Sequence, residues 1–144
     1  EIQKTNPLPG YIEGPWIHKR NNLYYLTYAS MGGNRQGTSK PAAPRPGGET
    51  ISYATAEKIT GPWTPRGQLA ESSPNSFTTH PGIIEFKGQW YFFYHNGMVK
   101  RPVDGGGSFR RSVCIEYLYY NPDGTMKSIV QTVEGVSAPP QPNE

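Results

Sequence analysis

Apolar positions come in short runs cut by polar turns, and the runs repeat. The stretch GPWIHKRNNLYYLTYAS (Gly14 to Ser30) superposes on HPGIIEFKGQWYFFYHN (His80 to Asn96) at an offset of 66 residues, matching Pro15 to Pro81, Ile17 to Ile83, Tyr25 to Tyr91 and Tyr28 to Tyr94. In each copy an apolar strand leads through a tight turn (Arg20-Asn21-Asn22; Lys87-Gly88-Gln89) into an aromatic strand, the signature of a β-hairpin. ISYATA (Ile51 to Ala56) superposes on RSVCIE (Arg111 to Glu116) at an offset of 60, giving each unit a third strand. A Pro-containing turn follows in both (Gly61-Pro62-Trp63; Asn121-Pro122-Asp123-Gly124), and a last strand is expected near Arg66 to Glu71 and near Met126 to Thr132. The prediction is two four-stranded antiparallel units, 11–72 and 77–134, within one domain over 1–136. The proline-rich end 137–144 reads as a linker or disordered tail.

Four-stranded units repeated around an axis are the blades of a β-propeller. Two blades leave sheet faces and edges bare, so the chain reads as part of a ring completed by blades from another chain or by further copies of itself.

Composition agrees. There are 17 Gly and 15 Pro among 144 residues, and 12% of the chain is aromatic, including 10 Tyr, which argues against a helical bundle and against general disorder. No apolar run approaches the roughly 18 residues that cross a bilayer, so no membrane role is expected. The net charge of +3 comes from scattered basic residues rather than a stripe, which argues against nucleic acid as a partner. The single Cys114 rules out an intrachain disulfide and reads as a small buried hydrophobe. The chain opens at Glu1 without a basic segment or an apolar core of the signal-peptide kind, so any such peptide is expected to have been removed or never present.

Propeller geometry then places the chemistry. The first strand of a blade is innermost, and the connection between the second and third strands lies at the end where the first strand starts. Glu13 and His80, at the starts of two innermost strands, and Arg111, opening a third strand, therefore share one axial end. The long connections Met31 to Thr50 and Gly97 to Arg110 border it. Glu13 precedes Gly14-Pro15-Trp16, where Trp16 offers an apolar wall that would raise the carboxyl pKa as a general acid requires. His80 suits a metal ligand, a proton shuttle or a hydrogen-bonded buried imidazole. Arg111 suits a clamp on sugar hydroxyls or a carboxylate, or a surface ion pair. His18 and His95 read as structural.

The hexapeptide Tyr11-Ile12-Glu13-Gly14-Pro15-Trp16, the aromatic hairpin His80 to Asn96 and the segment Arg110 to Gly124 (RRSVCIEYLYYNPDG) together resemble glycoside hydrolase family 43, most closely its α-L-arabinofuranosidases and β-xylosidases active on arabinoxylan. The likeness runs from about Tyr11 to Val136. It implies an all-β fold, a partial five-bladed propeller, and inverting hydrolysis of pentose-containing oligosaccharides. By residue it implies Glu13 as general acid and His80 on the axis near a structural calcium. Arg111 would contact sugar, with Arg110 as the lesser choice; Trp16 and His80 are the further candidates for sugar binding. It is compatible with extracellular, periplasmic and cytoplasmic settings. The family's general base and its pKa-tuning residue are both Asp and lie on preceding blades; Asp104 and Asp123, the two Asp of this chain, are not placed for either role. The chain therefore reads as half an active site, with Glu13 or Asp104 of a neighbouring copy as one source of a base. The alternative is a non-catalytic carbohydrate-binding module with Trp16, Trp90 and the tyrosines as stacking platforms, or a propeller-type interaction scaffold.

Overall fold

A computed structural model describes residues 8–31, 48–99 and 110–141. Among these residues, seven strands form two antiparallel sheets. Strands β1 (Tyr11–Arg20), β2 (Leu23–Ser30), β3 (Thr50–Ala56) and β4 (Thr64–Ala70) are ordered in space as in sequence, and so are β5 (Gly82–Phe86), β6 (Gln89–Asn96) and β7 (Ser112–Leu118). Most of each long loop expected to border the axial end, 32–47 and 100–109 with Asp104, lies outside the described residues. No helix among the described residues is long and apolar enough to cross a membrane.

Both predicted hairpins form. Arg20 pairs with Leu23 across a two-residue turn in which Asn21 takes a φ of 53°, and Phe86 pairs with Gln89 across Lys87 and Gly88, with φ of 50° and 79°. In the second turn φ is positive at both central positions, the primed turn whose twist matches that of the strands it joins; in the first it is positive at Asn21 alone.

The third strands also form, but in a different correspondence from the one the sequence suggests. Tyr24 faces Ala56 and Trp90 faces Leu118, so β3 and β7 match at an offset of 62 rather than 60. A slip of two residues leaves every side chain on its original face, so the polar–apolar pattern cannot discriminate between the two registers.

The main core lies between the sheets. Tyr25, Ile51, Tyr53 and Leu69 of the first sheet meet Ile83, Phe92, Tyr94 and Leu118 of the second. A second cluster, Leu26, Tyr28, Ala54, Ala56 and Trp63, covers the other face of the first sheet. The buried tyrosines fill the core and still satisfy their hydroxyls. Tyr25 Oη donates to Gly124 O at 2.7 Å, and Tyr53 Oη accepts from Met126 N at 3.1 Å. Both bonds tie the chain after β7 back onto the first sheet.

That segment is where the four-strand expectation for the second blade fails. Tyr120 and Met126 make one antiparallel bridge, and Ile129 then makes a parallel bridge to Ala70 at the end of β4. Met126 and Ile129 are buried while Lys127, Ser128 and Val130 are exposed, a spacing of three that a flat strand of period two cannot adopt. Buried Glu116 holds the continuation: its carboxylate accepts from Thr132 N at 2.7 Å and from Tyr94 Oη at 3.2 Å. The expected loose tail is likewise tethered as far as it is described. Tyr117 Oη donates to Ala138 O at 2.9 Å, and Tyr119 Oη accepts from Gln141 N at 2.8 Å.

Candidate active site at the axial end

The two innermost strands touch. Trp16 on β1 donates its indole N–H to Ile83 O on β5 at 2.9 Å. Nearby, Gly14 sits at a φ of 61°, and a methyl group on it would come within 3.0 Å of the His80 ring. The glycine thus lets the β1 backbone approach the imidazole, and Glu13, one residue earlier, reaches it. Glu13 Oε1 and His80 Nε2 are 2.8 Å apart, with side chains 47% and 31% exposed.

A third group, not foreseen from the sequence, completes the cluster. Glu49 immediately precedes β3 and is only 3% exposed, and one of its ligand-capable oxygens lies within 4.8 Å of Glu13 and His80 atoms. Two bonds fix it to the loop that carries His80: its amide donates to Phe77 O at 2.9 Å, and its Oε2 accepts from Thr79 N at 3.2 Å. Burial pushes its carboxyl pKa up, the Thr79 amide opposes that, and the Glu13 charge adds to the rise. The nearby His80 and Arg111 charges also favour the ionised carboxylate.

Arg111 is exposed and immediately precedes β7, close enough for its charge to bear on both Glu49 and His95. Arg110 is half-buried beside it. His95, on β6, packs edge-on against His80 with ring centroids 5.3 Å apart and is 9% exposed, and neither of its ring nitrogens has a hydrogen-bond partner. Burial, and then the charges of Arg111 and His80, lower its pKa. His95 therefore adjoins the site, whereas the other histidine read as structural, His18, lies in an aromatic cluster. There it stacks on Tyr25, with Nε2 2.8 Å from Tyr120 Oη.

The structure thus brings Glu13, His80 and Arg111 to one end, as the repeat predicts. The Trp16 indole is engaged with β5, the β1–β2 register shifts between Glu13 and Trp16, and Glu13 remains about half exposed. Trp16 itself is 42% exposed. Cys114 is half-buried with its thiol pKa pushed up by burial, so it is not an activated nucleophile. Asp123 caps the Asn121–Thr125 turn by accepting from Thr125 N at 2.9 Å, next to the Gly124 carbonyl held by Tyr25.

Calcium, which the sequence resemblance implies near His80, takes six to eight oxygen donors. The atoms gathered here are one imidazole nitrogen and oxygens of two carboxylates, one of which already holds the Thr79 amide. Water also serves as a calcium ligand, so an ion held by these groups would complete its shell with water.

Comparison with known proteins sets these groups in a family. Residues 2–126 match the model of glycosyl hydrolases family 43. The chain is 32% identical over 133 residues to a β-D-galactofuranosidase of Aspergillus niger, covering 88% of this chain and 34% of that protein. It is 32% identical over 138 residues to an arabinoxylan arabinofuranohydrolase of Bacillus subtilis, covering 92% and 26%. Among solved structures, a family 43 β-xylosidase/α-arabinofuranosidase from a compost metagenome, in complex with xylotriose and described as a calcium-free form, superposes with a TM-score of 0.64. It shares 32% identity over 83% of this chain and 30% of that one. The chain spans between about a quarter and a third of the length of these proteins, whose fold is the five-bladed propeller that the two sheets here sample. The chain belongs to glycosyl hydrolases family 43.

Proposed function

We propose that the chain is the acid-bearing part of a glycoside hydrolase of the α-L-arabinofuranosidase/β-xylosidase type, acting with inversion on arabinoxylan-derived sugars. The observation that carries the reading is the 2.8 Å contact of Glu13 with His80 at the axial end, with Arg111 in electrostatic range of the cluster. Glu13 is exposed enough to meet a substrate and donates its proton to the departing glycosidic oxygen. His80 orients that carboxyl, and Arg111 binds the sugar hydroxyls, with Arg110 and Trp16 lining the approach. Xylotriose in the compost enzyme supports a pentose oligosaccharide as the ligand class.

Inversion needs a second carboxylate about 6.5–9.5 Å from the acid, with water between them. Glu49 does not meet that need: it lies within 4.8 Å, is buried and is bound to Thr79. The base therefore comes from the remaining blades. Those blades, on another stretch of polypeptide or another copy of the chain, are the partner that covers the exposed apolar side chains of Tyr11, Ile12 and Ile17 on β1 and Ile84 and Phe86 on β5.

The test is Glu13→Gln in the protein with its propeller complete, assayed on aryl arabinofuranosides and xylosides. Loss of the acid is expected to cost about 10²–10⁴ in kcat/KM for poor leaving groups. Much less is lost with dinitrophenyl leaving groups, which depart without a proton. Equal losses on both substrates would remove Glu13 from the acid role. Undiminished sugar binding without hydrolysis by the wild-type protein would leave only a binding module.

A further inference from the structure

A cavity at the opposite end of the two blades has no part in the function proposed above. We infer that it binds a sugar acid, a pyranose carrying one carboxylate, with Arg20 as the group that holds the charge.

Three turns enclose it. Arg20 and Asn21 come from the β1–β2 hairpin, Gln89 and Trp90 from the start of β6, and Tyr120 and Asn121 from the segment after β7. Arg20 ends the strand near whose start Glu13 lies, roughly 20 Å away at about 3.3 Å per residue, so the cavity is separate from the axial cluster. Its volume of about 320 Å³ is at the lower end of the roughly 300–1,000 Å³ of small-molecule sites. That size suits one sugar ring rather than a chain of them.

The lining defines the ligand. Arg20 is half-buried, with its guanidinium carbon 4.2 Å from the centroid of the Tyr120 ring. Stacking fixes the guanidinium plane and leaves the N–H groups in that plane for the two-pronged contact that carboxylates take. The Tyr25 hydroxyl engages only part of its five N–H groups. Tyr120 is itself held, with His18 Nε2 at 2.8 Å from its hydroxyl. Among the described residues Arg20 makes no ion pair; Glu85, whose charge reaches Tyr120, is exposed on β5 and outside pairing distance.

The rest of the lining suits hydroxyls. The Gln89 amide donates to Trp90 O at 2.8 Å and the Asn121 amide to Thr125 Oγ1 at 2.9 Å. Each is fixed through its nitrogen and keeps a carbonyl oxygen to accept from a sugar hydroxyl. Asn21, exposed in its turn, adds a third amide. Half-buried Trp90, edge-on to Tyr120, supplies apolar surface for the C–H groups of a ring. Among the described residues no acid lines the cavity, so an ammonium group gains nothing there, and its one cation matches a single negative charge rather than a phosphate dianion.

Binding is read by calorimetry and by the indole and side-chain amide NMR signals of the full chain, titrated with methyl glucuronide, methyl xyloside and acetate. One glucuronide per chain is expected, with shifts at the Trp90 indole and the Gln89 and Asn121 amides. It should bind about tenfold or more tighter than the xyloside, which lacks the carboxylate, and than acetate, which lacks the ring. Free glucuronic acid separates the two sources of such a ligand: binding tighter than the glycoside assigns a free acid, and weaker binding assigns a terminal residue of a glycan. Arg20→Gln, and Arg20→Lys, which keeps the charge and loses the planar fork, are each expected to weaken the glucuronide about tenfold or more. Arg111→Gln and Lys58→Gln, which remove cations elsewhere, leave it unchanged. If Arg20→Gln does not fold, Arg20→Lys carries the test. Acetate or xyloside binding as tight as the glucuronide, no binding at tens of millimolar, indifference to Arg20, or loss of binding in Arg111→Gln overturns the site. None of these results touches the leaving-group test of Glu13, so the two readings fail separately.

Discussion

Glu49 and Arg111 stand at the same place in two successive blades. Each comes one residue before a third strand, at Thr50 and Ser112, and those strands pair with the equivalent residues Ser30 and Asn96. They carry opposite charges at the same end of the molecule, and the Arg111 charge favours the ionised form of Glu49. The repeat thus supplies one backbone position twice, filled first by a buried carboxylate that holds the His80 loop and then by an exposed guanidinium.

Gly14→Ala tests how the site is built. A left-handed backbone costs a residue with a Cβ about 1–2 kcal/mol, and here the methyl group would also press on the His80 ring at 3.0 Å. Urea denaturation should show that loss or more, and the His80 ring resonances should shift while those of His18 stay in place.

Stability should fall with acid through His18. Burial lowers its pKa from 6.5 to about 4, so the folded state resists a proton that the unfolded state accepts. The stability it contributes is fully present above pH 6.5 and is lost as pH drops toward 4, by up to about 3 kcal/mol. His18→Phe keeps a ring against Tyr25 but cannot titrate, and its urea midpoint should vary less with pH over that window. A wild-type midpoint as flat as the variant's would contradict the assignment.

Glu116→Leu should release the segment that replaces a fourth strand. Thr132 N and Tyr94 Oη lose their acceptor, a loss of about 2–3 kcal/mol for bonds to a charged group. Amide exchange should rise at Thr132 and Gln141 well before it rises in β6.

The bare inner edges predict association. Ile17 and Ile84 are 46% and 52% exposed on the strands nearest the axis. Sedimentation velocity of the isolated chain should show concentration-dependent self-association, which the double substitution Ile17→Lys and Ile84→Lys suppresses. A strict monomer at all concentrations would mean these edges are not sticky.

Much of this was legible in the chain itself because it rests on local pattern. The hairpins at Asn21-Asn22 and Lys87-Gly88 are written in turn residues and flanking aromatics, and the 66-residue offset of β2 and β6 follows from them. Repetition around an axis then put Glu13, His80 and Arg111 at one end without coordinates. Glu49 was hidden by the two-residue slip of the third strands, which matched Arg111 to Ile51 and left the carboxyl inside the long Met31 to Thr50 connection. The tie between the innermost strands was equally out of reach of local pattern, since the Trp16 indole bonds to Ile83, 67 residues away.

The amino-acid order by itself determined the strands, the turns, the repeat and the family, all of which depend on residues close in sequence or on a period. Packing between the sheets decided the rest. Burial of Met126 and Ile129 against both sheets took the chain after β7 out of a fourth strand and onto β4, because hydrophobic contact is non-directional and overrode a weak strand preference. Burial of Glu49 and His95 beside His80 made a charged cluster, because the cost of desolvating a polar group is set by whatever surrounds it in three dimensions.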